Sequence, residues 1–195
     1  MLHARRSLAS SFVVLLLGGC GAGARPEPPP PCDQSCQDGI GLRALRETMK
    51  LAYNLLIQGR PVGAQDAMTP CRSLSGSEGG NARVFGNATA NADQGSSFVE
   101  LEYDFEECVY AAPPNAIPNQ NYSLTVTGQV KQQGTLAVQP SSTTALLIDG
   151  DSLRLSGTVY DPPIDYELVD CKVSVAQQGS RVSGTLCGRN AGFTF

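Results

Sequence analysis

The chain has 195 residues, with 14 Lys and Arg against 18 Asp and Glu and a formal net charge of −4. A mildly acidic balance without a basic cluster argues against a nucleic-acid partner, which needs a positive footprint, and against a polybasic grip on anionic lipid. The chain contains one histidine, His3, and no tryptophan.

The first element is a leader. Arg5 and Arg6 precede an apolar run from Leu8 to Leu17, followed by Gly18, Gly19 and Cys20. A transmembrane helix needs about 20 apolar residues, so this shorter run reads as an export signal over residues 1–19. The order Leu17-Gly18-Gly19-Cys20 resembles the lipobox of bacterial lipoproteins. The resemblance implies that the peptide bond before Cys20 is cut and that Cys20 is lipidated and becomes the first mature residue. Gly21, where such lipoproteins carry an aspartate for inner-membrane retention, implies anchoring in the outer membrane, facing the periplasm or the surface. The membrane partner is then the lipid itself, since several buried acyl chains bind almost permanently.

Removal of residues 1–19 leaves 12 basic and 18 acidic residues and no histidine. Ser-His-Asp and Cys-His nucleophiles and histidine-containing zinc sites are then excluded. No cofactor is expected, and no catalytic or metal-ligating set is assigned.

Residues 20–36 read as the lipidated cysteine and a tether, because prolines crowd the stretch up to Pro31 and favour an extended spacer. Six cysteines follow: Cys32, Cys36, Cys71, Cys108, Cys171 and Cys187. An even number in an exported chain reads as disulfides, with 15 possible pairings. Cys171 and Cys187 flank a hairpin-like stretch, Cys71 with Cys108 closes a long loop, and Cys32 with Cys36 a short one. The Cys32–Cys36 spacing has three intervening residues, not the two of thioredoxin-like redox motifs.

Residues 37–195 form one globular domain on this reading, with a helix at 38–58, a loop at 59–80 and a β-sheet at 81–195. Leu42, Leu45, Met49, Ala52 and Leu56 recur at spacings of three and four, the stripe of an amphipathic helix. Ser35 with Asp38 resembles a capping box, and Gly59 followed by Pro61 is a stop signal. Arg43, Arg46, Glu47 and Lys50 are assigned to the opposite, solvent side.

From residue 81 the period becomes two. Val99, Leu101, Tyr103 and Phe105 alternate with Glu100, Glu102, Asp104 and Glu106, a half-buried strand with an acidic outer face. Further strands are predicted near 82–91, 122–131, 134–139, 143–149, 152–160, 164–176, 180–187 and 192–195. Asp149-Gly150-Asp151 is assigned to a tight turn, and Asp161-Pro162-Pro163 to another break. Gly128, Gly157 and Gly184 sit at like positions in a repeated Ser-Leu-x-x-x-Gly pattern or its shorter copy. Glycines inside strands mark bends, so the sheet is expected to curve.

The predicted class is α+β: one N-terminal helix packed on a curved antiparallel sheet, a meander or half-barrel stapled by disulfides. That outline resembles half-barrel carriers of lipids and of lipoproteins, a likeness of fold that does not give function. The functional expectation is an envelope lipoprotein acting as a binding or structural module for a small apolar ligand or an envelope protein. The alternative is a carboxylate-based hydrolase of envelope glycans, resting on the row Glu100–Glu106, which as oxygen ligands would also suit a cation. A third reading has loops 61–80 and 111–121 bind a partner.

Overall fold

The computed structural model describes residues 29–72, 78–91, 95–137 and 142–195. The signal segment, Cys20 and the tether up to residue 28 lie outside them. Helix α1 spans Gln34–Leu56. Eight strands follow: β1 (Gly63–Arg72), β2 (Glu78–Asn91), β3 (Ser96–Ala111), β4 (Tyr122–Ala137), β5 (Ala145–Val159), β6 (Ile164–Gln178), β7 (Arg181–Leu186) and β8 (Arg189–Thr194). They pair in sequence order, each antiparallel to the next, in one open sheet. The expected α+β meander is present.

Seven strand spacings would set the edges of a flat eight-strand sheet about 34 Å apart, far wider than a helix of about 10–12 Å. Yet α1 touches both edge strands, β1 and β8, as well as β2 to β5. The sheet is therefore rolled around the helix. This explains why burial on α1 exceeds one stripe: Ile40, Leu42, Ala44, Leu45, Met49, Ala52 and Leu56 are all buried in one core with the inner face of the sheet. Close approach needs small residues. A Cβ on Gly41 would stand 2.7 Å from the Tyr166 ring.

Two of the repeat glycines show what curves the strands. Gly128 has φ +119 and Gly157 φ +143, and a Cβ on either would meet a carbonyl oxygen of the neighbouring strand at 2.5 or 2.2 Å. Bulges add to the bending. In β3 the inward set Val99, Leu101, Tyr103 and Phe105 continues as Cys108 and Tyr110. The extra residue is absorbed where pairing with β4 jumps between Phe105 and Cys108.

Four expectations are corrected. The helix begins earlier than residue 38: Asp33 is the N-cap and its side chain accepts from the Cys36 amide. Ser35 is not the cap, and Asp38 turns inward to other partners. The predicted loop over 59–80 contains β1 at Gly63–Arg72. Its apolar residues are too sparse to announce a strand, and it exists because β2 pairs with it along its length. Pro70 is compatible with that edge position. Asp149-Gly150-Asp151 is not a chain reversal but lies inside β5, at a break in register with β6 between Gly150 and Leu153. The polar triplet marks a bulge because β4 and β6 run past it on both sides. The pairs 122–131 with 134–139 and 143–149 with 152–160 accordingly merge into β4 and β5.

The cysteines pair Cys32–Cys36, Cys71–Cys108 and Cys171–Cys187, with Cα separations of 5.2, 5.4 and 4.7 Å. The second ties edge strand β1 to β3, and the third ties β6 to the turn between β7 and β8.

Candidate functional site

A cavity of about 530 Å³ opens where the C-terminal half of α1 emerges from the rolled sheet. Arg46, Lys50, Tyr53 and Ile57 line it. Their spacings of four, three and four put them on one helix face. The sheet contributes from one end only: Ser96 and Ser97 at the start of β3, Gln132 and Leu136 late in β4, Thr144 just before β5, and Gln177 near the end of β6. Val62, Ala88 and Phe195 complete much of the apolar wall. The volume falls within the range of about 300–1,000 Å³ usual for small-molecule sites.

Arg46 is the most informative residue of this cavity. Its assignment to the solvent side of α1 is overturned: it is only 4% exposed. It lies four residues after Leu42 and three before Met49, on the buried stripe. That spacing is the signal that would have found it. Its Nε donates to Gln177 Oε1 at 2.7 Å, and Gln177 is itself oriented by donating Nε2 to the Gly179 carbonyl at 2.9 Å. Burial pulls the guanidinium below its ordinary pKa, with Tyr103 and Glu47 acting in the opposite direction; an arginine remains charged regardless. Among the described residues no carboxylate lies within 4 Å of it, and Glu47 instead faces Lys50 at 3.9 Å.

The same cavity contains buried polar atoms without hydrogen-bond partners in the protein. These are Ser96 Oγ, Thr144 Oγ1 and both amide atoms of Gln132. Gln132 is 1% exposed and Thr144 2%. Each such atom left unpaired costs about 1–3 kcal/mol, and a buried charge without a counter-ion costs more. Sequence alternation places Gln132 inward, in phase with Val126 and Val130, yet its meaning emerges only beside Arg46.

The acidic row lies elsewhere. Glu100, Glu102, Asp104 and Glu106 occupy the outer face of β3, opposite the buried Val99–Phe105 set. Gln133 Nε2 donates to Glu100 at 3.2 Å, Lys131 stands 3.8 Å from Glu102, and Arg83 sits in register with Asp104 while binding both oxygens of Asp66. Cations on the neighbouring strands thus disperse the row. Among the described residues no three His, Cys, Asp or Glu side chains converge as a metal site, and no helix is long and apolar enough to cross a membrane.

No family model, curated protein or solved structure matches this chain. The feature of this chain able to take up a ligand is the cavity. It can enclose a small molecule, and the charged side chains of its described lining are all cationic: Arg46, Lys50 and Arg60. The cysteines do not join it, since all six are engaged in bridges.

Proposed function

We propose that this chain is a lipid-anchored protein of the bacterial outer membrane that holds a small, largely apolar molecule between its helix and the concave face of its sheet. The observation that carries the reading is the cavity of about 530 Å³ between Ile57, Val62, Ala88 and Leu136. Packing between α1 and the rolled sheet stops short at this end, leaving the cavity. The outward placement of Glu100–Glu106, away from this cavity, favours binding over glycan hydrolysis, which needs two carboxyls facing each other across a cleft.

The anchor rests on Leu17-Gly18-Gly19-Cys20 and the proline-rich tether. Cys20→Ser is expected to move the protein from the membrane to the soluble envelope fraction; retention on membranes would overturn the anchor. The same soluble form tests the cavity. Native mass spectrometry should retain a bound small molecule, and an environment-sensitive apolar dye should bind with a stoichiometry near one. Leu136→Trp, filling the mouth, should abolish that binding while unfolding stays cooperative. Absence of dye binding by the soluble form with Leu136 intact would sink the reading.

A further inference from the structure

The cavity is more polar than an apolar ligand requires. Its deepest groups are a guanidinium 4% exposed, an amide 1% exposed and a hydroxyl 2% exposed. Ser96 Oγ, also buried, adds a second hydroxyl. Three of the four orphan atoms, the two hydroxyls and Gln132 Nε2, are able to donate; Gln132 Oε1 accepts. With Nε of Arg46 engaged by Gln177, the two terminal nitrogens of the guanidinium remain as a fork. A carboxylate is an acceptor-only group whose two oxygens match that fork. The described lining offers it no competing Asp or Glu, and the acidic residues of β3 face the opposite side of the sheet. Beyond the polar cluster the walls turn apolar at Ile57, Val62, Leu136 and Phe195.

Building on the reading of the cavity as a ligand site, we propose that its occupant is an anionic amphiphile: an acyl chain ending in a carboxylate. The carboxylate pairs with Arg46 and accepts from Gln132, Thr144 and Ser96. The chain runs along Ile57 and Leu136 toward the mouth, where Lys50 and Arg60 favour approach of a negative charge. A neutral lipid would leave the guanidinium without a counter-ion, and a small free anion would leave the apolar walls uncovered.

The test uses the full-length Cys20→Ser chain, produced with its signal and freed of endogenous ligand, titrated with 11-(dansylamino)undecanoic acid and with its methyl ester. The acid is expected to bind about tenfold tighter or more, the range for a hydrogen-bonded charge. Arg46→Met should bring the acid down to the level of the ester and leave the ester unchanged. Should that variant fail to fold, Thr144→Val and Gln132→Leu provide the same readout, each weakening the acid several-fold but not the ester. Equal binding of acid and ester overturns the carboxylate while leaving the cavity reading intact; binding of neither overturns both. Displacement of the probe by acetate or inorganic phosphate as readily as by decanoate would show a small-anion site and overturn the amphiphile.

Discussion

Asp38, near the start of α1, and Arg189, which opens β8, form a two-point ion pair across 151 residues of sequence. Arg189 Nε donates to Asp38 Oδ2 at 2.7 Å, and a terminal nitrogen donates to Oδ1 at 2.9 Å. Tyr166 Oη and Gln34 Nε2 also donate to Oδ1, at 2.9 and 3.0 Å. Since β8 pairs on one side only, this cluster, with Arg43 bonded to the Thr194 carbonyl at 2.6 Å, fastens the last strand to the helix.

Removing the carboxylate should therefore cost far more than a surface pair. Asp38 is 1% exposed, and Asp38→Ala leaves the Tyr166 hydroxyl and the guanidinium without their acceptor. A loss of about 3 kcal/mol is expected in urea unfolding. Arg189→Lys keeps the charge without the fork and should lose about 1 kcal/mol. A change within 0.5 kcal/mol, the usual size at the surface, for Asp38→Ala would contradict the clamp.

The same cluster sets an acid limb. Burial alone would raise the Asp38 pKa, but the hydrogen bonds from Arg189, Gln34 and Tyr166 outweigh it and hold the carboxyl below its ordinary 3.8. A depressed folded pKa stabilises fully above the unfolded value, and the contribution disappears as pH falls through the folded value. Unfolding free energy should thus fall below about pH 4, and Asp38→Asn should flatten that fall. At the alkaline end burial pushes Tyr110 up to about 12. Stability should decline as pH rises from the usual tyrosine value of about 10 toward 12. Tyr110→Phe should reduce this decline in a pH series of thermal melts.

The three bridges should differ in weight. Loop-closure entropy assigns about 4 kcal/mol to Cys71–Cys108, about 3 to Cys171–Cys187 and about 2 to Cys32–Cys36, following their sequence separations of 37, 16 and 4. Paired Cys→Ala variants measured by denaturant midpoint should rank in that order. A thiol titration of the unfolded Cys20→Ser protein under non-reducing conditions should find none free.

Glycines separate by what surrounds them. Gly157→Ala combines a positive φ with a Cβ 2.2 Å from the Ser123 carbonyl, whereas Gly59, at φ +79 beyond the helix, has nothing within 4 Å. The first should cost more than 2 kcal/mol and the second about 1. Comparable losses from the two would mean that contact across the strands does not decide the bend.

Much of this fold was legible because its signals are local. Leu42–Leu56 announced the helix by spacing, Val99–Phe105 announced β3 by alternation, and the odd curvature of the sheet was written in Gly128 and Gly157. The bridges follow the spacing of the cysteines: Cys32–Cys36 closes at the start of α1, Cys71–Cys108 spans β1 to β3, and Cys171–Cys187 flanks the β6–β7 hairpin. The misreadings share one cause. β1 has little pattern of its own and exists through its partner, and the Asp149–Asp151 triplet signals irregular backbone without saying whether the chain turns or bulges.

The cavity lies beyond local pattern for a deeper reason. Periodicity reports which side of a helix or strand points inward, yet a charged residue at position 46 reads as solvent-facing, and the burial of Arg46 and Gln132 appears only in the fold. Whether an inward polar group is buried against apolar packing or faces an open space depends on residues from other elements arriving at the same point, as Gln177 does from 131 positions beyond Arg46. Only the rolling of the sheet around α1 brings them together, because burial of a charge is a property of the whole surrounding volume and not of the segment that carries it.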